Sequence, residues 1–329
     1  MIVDALGQFL RPSTLAGVAI EGLSLAALYV MITTGLTLIF GLMGVLNFAH
    51  GALTMIGAYL GGLVTVLLVG TATGGPLRFL AFFAAVLVTF GALAALGGAI
   101  EVSLIRPIYD RPPLYQILLT FGLTLTLEEL VRIVLLFYGI QPISDWQDAL
   151  GTRPALLGES VTFGGVSVDG LAVFQILFGL ATVVGIWAFL TRTRYGLYVR
   201  AGSEDGEMLS ALGVDVRRVF TVVFALGTGV AGVAGVLLAW DPNWAASVPL
   251  AAETLLPAFV VVIVGGLGTF RGTVVAALLV GLTDATMTWW FQNYVDFTGL
   301  PEITVFLVLV IMLIVRPQGL FGVSEVGGH

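Results

Sequence analysis

The chain has 329 residues, 58 % of them hydrophobic and 10 % charged, with a mean hydropathy of +1.07. A soluble domain carries about 25 % charged residues, so this composition excludes one; the net charge of −7 excludes nucleic acid, which needs a basic surface. Cysteine is absent and there is no lysine, which excludes disulfides, thiolate metal sites and a cysteine nucleophile.

The acidic, arginine-only composition fits either a coding bias towards arginine or a saline habitat. Several apolar windows exceed the ~18 residues needed to cross a bilayer core of ~30 Å. Alternating ten-residue segments, the mark of a membrane barrel, are not seen. The expected fold is therefore all-α: a single polytopic transmembrane bundle of about 8–10 membrane segments.

In chain order, residues 2–12 are too short to span, and no basic start marks a cleavable signal peptide. Nine spans are predicted at about 16–40, 51–69, 79–105, 114–138, 171–190, 219–240, 252–266, 273–290 and 303–315. Thr71–Pro76 reads as a turn and Arg106–Pro113 as a loop. The interval 139–170 is polar and acidic, with Asp145, Asp148, Glu159 and Asp169 against Arg153, and Ser160–Val168 around Gly164-Gly165 reads as a small hairpin. Arginines cluster at 106–111, at 192–218 and at Arg316. Because basic loops stay in the cytoplasm, all three clusters are placed there, with the N-terminus and loop 139–170 outside; Arg78 falls on the outer side against the rule.

Two glycine-rich hinges then lie towards the cytoplasm. The first is Gly41-x-x-Gly44 followed by Asn47-Phe48-Ala49-His50-Gly51. The second is Gly265-x-x-Gly268 followed by Thr269-Phe270-Arg271-Gly272. Glycine lets backbones approach closely, and polar groups between apolar spans need partners or water. Paired glycine-interrupted segments point to a transport path between two related halves, here about 14–138 and 171–316. The competing reading of the first hinge is a surface loop.

Within loop 191–218, Ser203 reads as a helix cap, Glu204, Asp205 and Glu207 as an acidic first turn, and Gly213 as a stop. Met208, Ala211 and Leu212 fall on one apolar face. Such a helix either lies on lipid or seats in a groove of a cytoplasmic partner, and its acidic turn suits the groove better.

The pieces Gly35–Gly41, Val45–Ala52, Arg192–Gly196, Ala211–Val214, Ala231–Gly235, Val264–Thr269 and Arg316–Gly322 stand in one order over about 14–322. In these the chain resembles the membrane permease of a branched-chain amino-acid ABC importer. The resemblance implies pairing with a second, similar permease, two cytoplasmic ATPases that hold the ATP and magnesium, and a soluble solute-binding protein outside. It implies a coupling helix at about Ser203–Val214 and a cargo of leucine, isoleucine or valine, with urea or short amides as alternatives. Leu197 and Tyr198 after Gly196, and Gly202-Ser203-Glu204, depart from the family pattern and suggest an adapted docking partner. A lysine-free chain has no Gly-x-x-x-x-Gly-Lys-[Ser/Thr] loop, so this chain is expected to be no enzyme and to carry no cofactor or metal.

Charged residues inside spans are the remaining candidates. Glu128 and Arg132 are spaced to pair, either as an outer gate or a contact for the delivering protein, or as a structural pair facing a neighbouring helix. Glu21 and Glu101 near span ends are expected to face water. Asp284 either lines the path or bonds a neighbour such as Thr283 or Thr286. Arg271 either meets a carboxylate or is one more cytoplasmic arginine. Trp240, Trp244, Trp289 and Trp290 fit an interfacial belt. A stand-alone transporter would need midplane carboxylates, of which only Asp284 qualifies. An intramembrane enzyme would need a nucleophile and base or a metal triad, and neither is seen.

Overall fold

A computed structural model describes residues 2–69, 76–146, 160–163, 166–241, 243–294 and 300–322. The 71–75 turn, Asp148, Arg153, Glu159 and the Gly164-Gly165 turn lie outside the described residues. Helix α1 (Ile2–Phe9) leads into α2 (Pro12–Met43), α3 (His50–Val69) and α4 (Pro76–Ile100). The last runs on through a π-helical turn, Glu101–Ile105, and a 3-10 turn, Arg106–Ile108. Then come α5 (Pro113–Tyr138), the short α6 (Pro142–Asp145), strands β1 (Ser160–Phe163) and β2 (Val166–Asp169), and α7 (Gly170–Arg192). The second part holds α8 (Arg194–Glu204), α9 (Gly206–Ala211), α10 (Val216–Trp240), α11 (Leu250–Gly265), α12 (Phe270–Tyr294) and α13 (Leu300–Val315).

Apolar runs become helices because only internally bonded backbone is tolerated in lipid. Among the described residues, six helices are long and apolar enough to cross a membrane: α2, α3, α4 with its extension, α7, α10 and α12. The apolar helices α11 and α13 are shorter; α5 is long enough, at 26 residues, but carries Glu128, Glu129 and Arg132. The chain is a multi-pass membrane bundle. Every predicted span has its helix, with ends moved by no more than four residues. The strands form one antiparallel hairpin in the register Ser160↔Asp169, as the sequence pattern suggests.

The centre of the bundle is α2, buried along most of its length and packed on α7, α10 and α12. Its approach to α10 needs glycine on both sides: a Cβ added to Gly35 would stand 2.5 Å from the carbonyl oxygen of Gly227. In turn α10 packs on α3 and α4. Trp240 is not in an interfacial belt; it is 2 % exposed, tilted against Phe82 at 4.6 Å between centroids, and donates to Thr65 Oγ1 at 3.3 Å. The span-end signal was right about position but missed that this helix end is roofed by α4 and α7. Trp289 and Trp290 do sit half-buried, stacked with Phe9.

Candidate functional site

The two hinges meet. Helix α2 ends at Gly44, whose φ of +66° closes the last turn with its N–H on Phe40. The chain then turns inside the bundle, with Asn47 and His50 both fully buried, which rules out the surface-loop reading. Asn47 Oδ1 accepts from the Ala49 N–H at 3.1 Å, and His50 Nε2 donates to the Ile32 carbonyl at 2.8 Å, which fixes the proton on Nε2. Asn47 Nδ2 and His50 Nδ1 have no hydrogen-bond partner among the described atoms. Gly41 faces Gly268 of the second hinge so closely that a Cβ on either would come within 2.9 Å of the other's backbone. Gly51 is equally tight: a Cβ would stand 2.1 Å from the Ala251 oxygen of α11. Gly265 meets Gly272 across the second hinge.

The second hinge is also clamped by the tail. Leu320 N–H donates to Val264 O at 2.8 Å and Phe321 N–H to Gly265 O at 3.1 Å. Sequence reasoning saw the Arg316–Gly322 piece only as a point of resemblance; its glycines and proline were the signal of a tight turn. Arg271 is exposed at the first turn of α12.

Above the hinges, on the side assigned to the exterior, a cavity of about 1070 Å³ opens between α2, α7, α11, α12 and α13. At its deep end Tyr29 donates to Asp284 Oδ2 at 2.9 Å, and Thr288 donates to Oδ1 at 3.4 Å. Asp284 therefore lines the cavity, and its partners are Tyr29 and Thr288; Thr286 instead bonds the Leu282 carbonyl of its own helix. One wall is a polar relay in which Ser24 bonds Gln175 and Gln175 donates to Asp241 at 3.2 Å. Glu21 lines the same space and is exposed, as expected. Beyond Tyr29, α2 is closed: Thr33, Leu36 and Ile39 are fully buried, and the Thr37 and Thr273 hydroxyls bond at 2.7 Å. From Tyr29 to the Gly41–Gly268 crossing, about 18 Å of packed helix seals the cytoplasmic side. Of the residues expected on a path, only Asp284 reaches the cavity; the hinge residues lie beyond the packed segment under it.

The arginine-bearing ends gather at one end of the bundle, near the first hinge. Gly202 lies against Leu42, and Thr120 Oγ1 donates to Leu46 O at 3.2 Å. The loop 191–218 is two helices rather than the one expected. Thr193 caps α8, accepting from Gly196 N–H at 2.9 Å, and α8 folds back so tightly on α7 that a Cβ on Gly196 would stand 2.1 Å from Phe189 O. Ser203 is no cap; its hydroxyl donates to Arg200 O in the last turn of α8. The cap is Asp205, which accepts from Met208 N–H at 2.8 Å and turns the chain between the helices. An Asp, being charged, wins the N-terminal position over the serine two residues earlier. Gly213, at φ +81°, ends α9 as the sequence indicates. Leu209 is the buried anchor, while Met208 and Leu212 are 58 % and 74 % exposed and Ala211 and Glu204 are exposed beside them. The apolar face that the sequence singled out therefore points away from the bundle.

Glu101 does not face water. It is fully buried in the π-helical turn, where Arg106 Nε and Nη2 donate to its two oxygens at 3.1 and 2.8 Å. Tyr109 also donates to it, and so does Thr221 of α10 at 2.7 Å. Burial, then the bond to Glu101, push the Tyr109 phenol well above its usual range, so it remains a donor. The Arg106 and Tyr109 spacing after Glu101 was the available clue.

The sequence profile described as "Branched-chain amino acid transport system / permease component" matches residues 18–316. The chain is 29 % identical over 314 residues to BraD, the high-affinity branched-chain amino acid transport system permease protein of Pseudomonas aeruginosa, covering 93 % of this chain and 95 % of that one. It is 28 % identical over 309 residues to the LivH protein of the same description in Escherichia coli, with the same coverage. No solved structure matches. With the profile covering nearly the whole bundle, the chain belongs to the family of branched-chain amino acid transport system permease components.

Proposed function

We propose that this chain is one permease subunit of an ABC importer in the cell membrane, working with a second permease of its family. The cargo is leucine, isoleucine or valine, delivered from outside by a soluble binding protein. The observation that carries this reading is the cavity, open on the outer side, floored by Tyr29 and Asp284, and sealed towards the cytoplasm by the crossed hinges. The chain itself needs no cofactor; two ATPases hold the nucleotide and seat on α8 and α9, where Met208, Leu212 and Glu204 are exposed. Movement of that segment reaches α2 through Gly202 against Leu42 and α10 through residues 213–216. The two hinges, one in each related half of the chain, then rock apart, and the small residues at their contacts let the helices slide.

The test is uptake of labelled leucine into liposomes holding this chain with its ATPases, second permease and binding protein. Uptake should need ATP and the binding protein. Asp284→Asn should lower it about tenfold while the complex still assembles, equivalent to about 1.4 kcal/mol of lost stabilisation along the path. Leucine uptake by this chain without ATPases would overturn the reading. Uptake of urea but not leucine would keep the machine and change the cargo.

A further inference from the structure

Arg132 and Tyr59 share a groove that the transport reading does not use. It lies between α3, α5, α6 and the connection that leads into α11, and its volume is about 520 Å³. Small-molecule sites span about 300–1,000 Å³. Arg132 comes from α5, Tyr59 from α3, Gln141 and Ser144 from the chain around α6, and residues 246–249 close the remaining side.

These residues bring hydrogen-bond donors that lack acceptors. Arg132 meets Glu129 through Nε at 3.4 Å, with the two side chains 56 % and 61 % exposed. Such an open pair contributes little. Neither terminal amino group of the guanidinium makes a hydrogen bond among the described atoms. Those two groups belong to the fork that meets a carboxylate with two parallel bonds. The Tyr59 hydroxyl, the Gln141 amide and the Ser247 hydroxyl likewise bond nothing among the described atoms.

The connection adds main-chain donors. Ala246 is buried, yet its N–H and those of Ser247 and Val248 have no hydrogen bond among the described atoms. A buried N–H without a partner is rare in a folded protein and calls for a ligand or water. Successive N–H groups in a turn are how backbone forms an anion-binding concavity. The residue before them, Ala245, is the only non-glycine with a positive φ, +56°, among the described residues. A side chain held in the left-handed region costs free energy and persists where the surroundings impose a shape. Helix α11 then begins at Leu250 with no side-chain cap on Pro249, so its positive end lies beside the same groove.

The rest of the lining is apolar, with Pro142, Ile143, Val248 and Pro249. A donor-rich end beside an apolar wall fits a small acid with an apolar tail. The larger cavity has the opposite character. Glu21, Asp169, Asp241, Glu253 and Asp284 line it, and among the described residues no arginine does. Its field favours an ammonium and repels a carboxylate. The groove and the cavity therefore sort the two ends of an amino acid.

We propose that the Arg132 groove is a binding site for a small carboxylate with a branched apolar tail. The guanidinium fork and the 246–248 N–H groups take the carboxylate, and Ile143 and Val248 take the tail. Glu129, held by no hydrogen bond, swings to water when the ligand arrives. As a first contact for leucine the groove deepens the transport reading and rests on it; as a carboxylate site it stands without it.

The experiment titrates the full chain, in nanodiscs of zwitterionic lipid, by calorimetry. One probe is 4-methylpentanoate, which is leucine without its ammonium; the other is 3-methylbutylamine, which is leucine without its carboxylate. The acid should bind at a single saturable site. Arg132→Gln should weaken it at least tenfold and Tyr59→Phe about threefold. Arg111→Gln, at an exposed arginine ahead of α5, should leave it unchanged. Binding of the amine should not respond to Arg132→Gln. The photo-reactive acid 4,4-azipentanoate should, on irradiation, label peptides holding residues 141–144 or 246–249. No saturable binding of 4-methylpentanoate would overturn the proposal. So would binding that survives Arg132→Gln, or labelling confined to the larger cavity. Inorganic phosphate binding as tightly as the acid would also overturn it, since the site would then read charge alone. Carboxylate binding in the groove without leucine uptake by the assembled complex would leave this site standing and remove the transport reading; the opposite result would do the reverse.

Discussion

Helices α2 and α5 are both long enough to cross a membrane, and they solve the problem in opposite ways. The first is enclosed by protein over most of its length, and beyond Glu21 at the cavity its buried polar groups include hydroxyls that bond within the bundle, such as Thr33 to the Tyr29 carbonyl and Thr37 to Thr273. The second keeps a carboxylate and a guanidinium in an exposed pair, with Arg132 at a groove beside Tyr59. Close packing is possible at α2 because glycine removes the Cβ where backbones touch, and it makes that helix intolerant of added volume. The difference teaches that a span's place is set less by its mean hydropathy than by what its faces meet.

The sharpest way to break this comparison is to add the same kind of atom to each helix. Gly35→Val should destroy the α2–α10 contact, where even a Cβ sits 2.5 Å from a backbone oxygen, and cost more than about 3 kcal/mol. Gly122→Ala on α5 adds a methyl group into open space and should leave the isolated chain's melting temperature unchanged. Thermal unfolding in detergent, followed by size-exclusion chromatography, reads both. A next-smaller effect is expected at the buried carboxylate. Glu101→Gln leaves Arg106 without its charged partner and should lower stability by about 2–3 kcal/mol, whereas Glu129→Gln, an exposed pair, should change it by less than about 0.5 kcal/mol. Equal losses at the two sites would refute the contrast between enclosed and bare faces. The smallest change is at the loop helices: Asp205→Ala removes the cap of α9 and should cost about 1 kcal/mol locally. It would be read as faster amide exchange at Met208 with no shift in global melting.

Much of the fold was legible because a bilayer-spanning helix writes itself as a long apolar run between glycine, proline and charge. The ends of α3, α5, α7 and α11 fall within two residues of their expected places for that reason. The candidate site was legible only in part. Asp284 was found as an ionisable residue at depth, but not its bond to Tyr29, which lies 255 positions away. Glu101 was read as facing water because a span end usually does; Thr221, reached only through the fold, made it a buried clamp. The Glu128–Arg132 spacing suggested a pair, yet the contact forms from Glu129, because the helix turns Glu128 partly inward.

By itself the sequence determined that this protein lies in a membrane and, within a few residues, where its long apolar helices run, since these depend on local composition and helix period. Only the tertiary structure decided that the two hinges cross at Gly41 and Gly268, that Asn47 and His50 are sealed inside, and that the cavity stops at Tyr29. Those facts come from helices distant in the chain meeting along particular faces. In a span that is apolar all round, periodicity does not say which face that is.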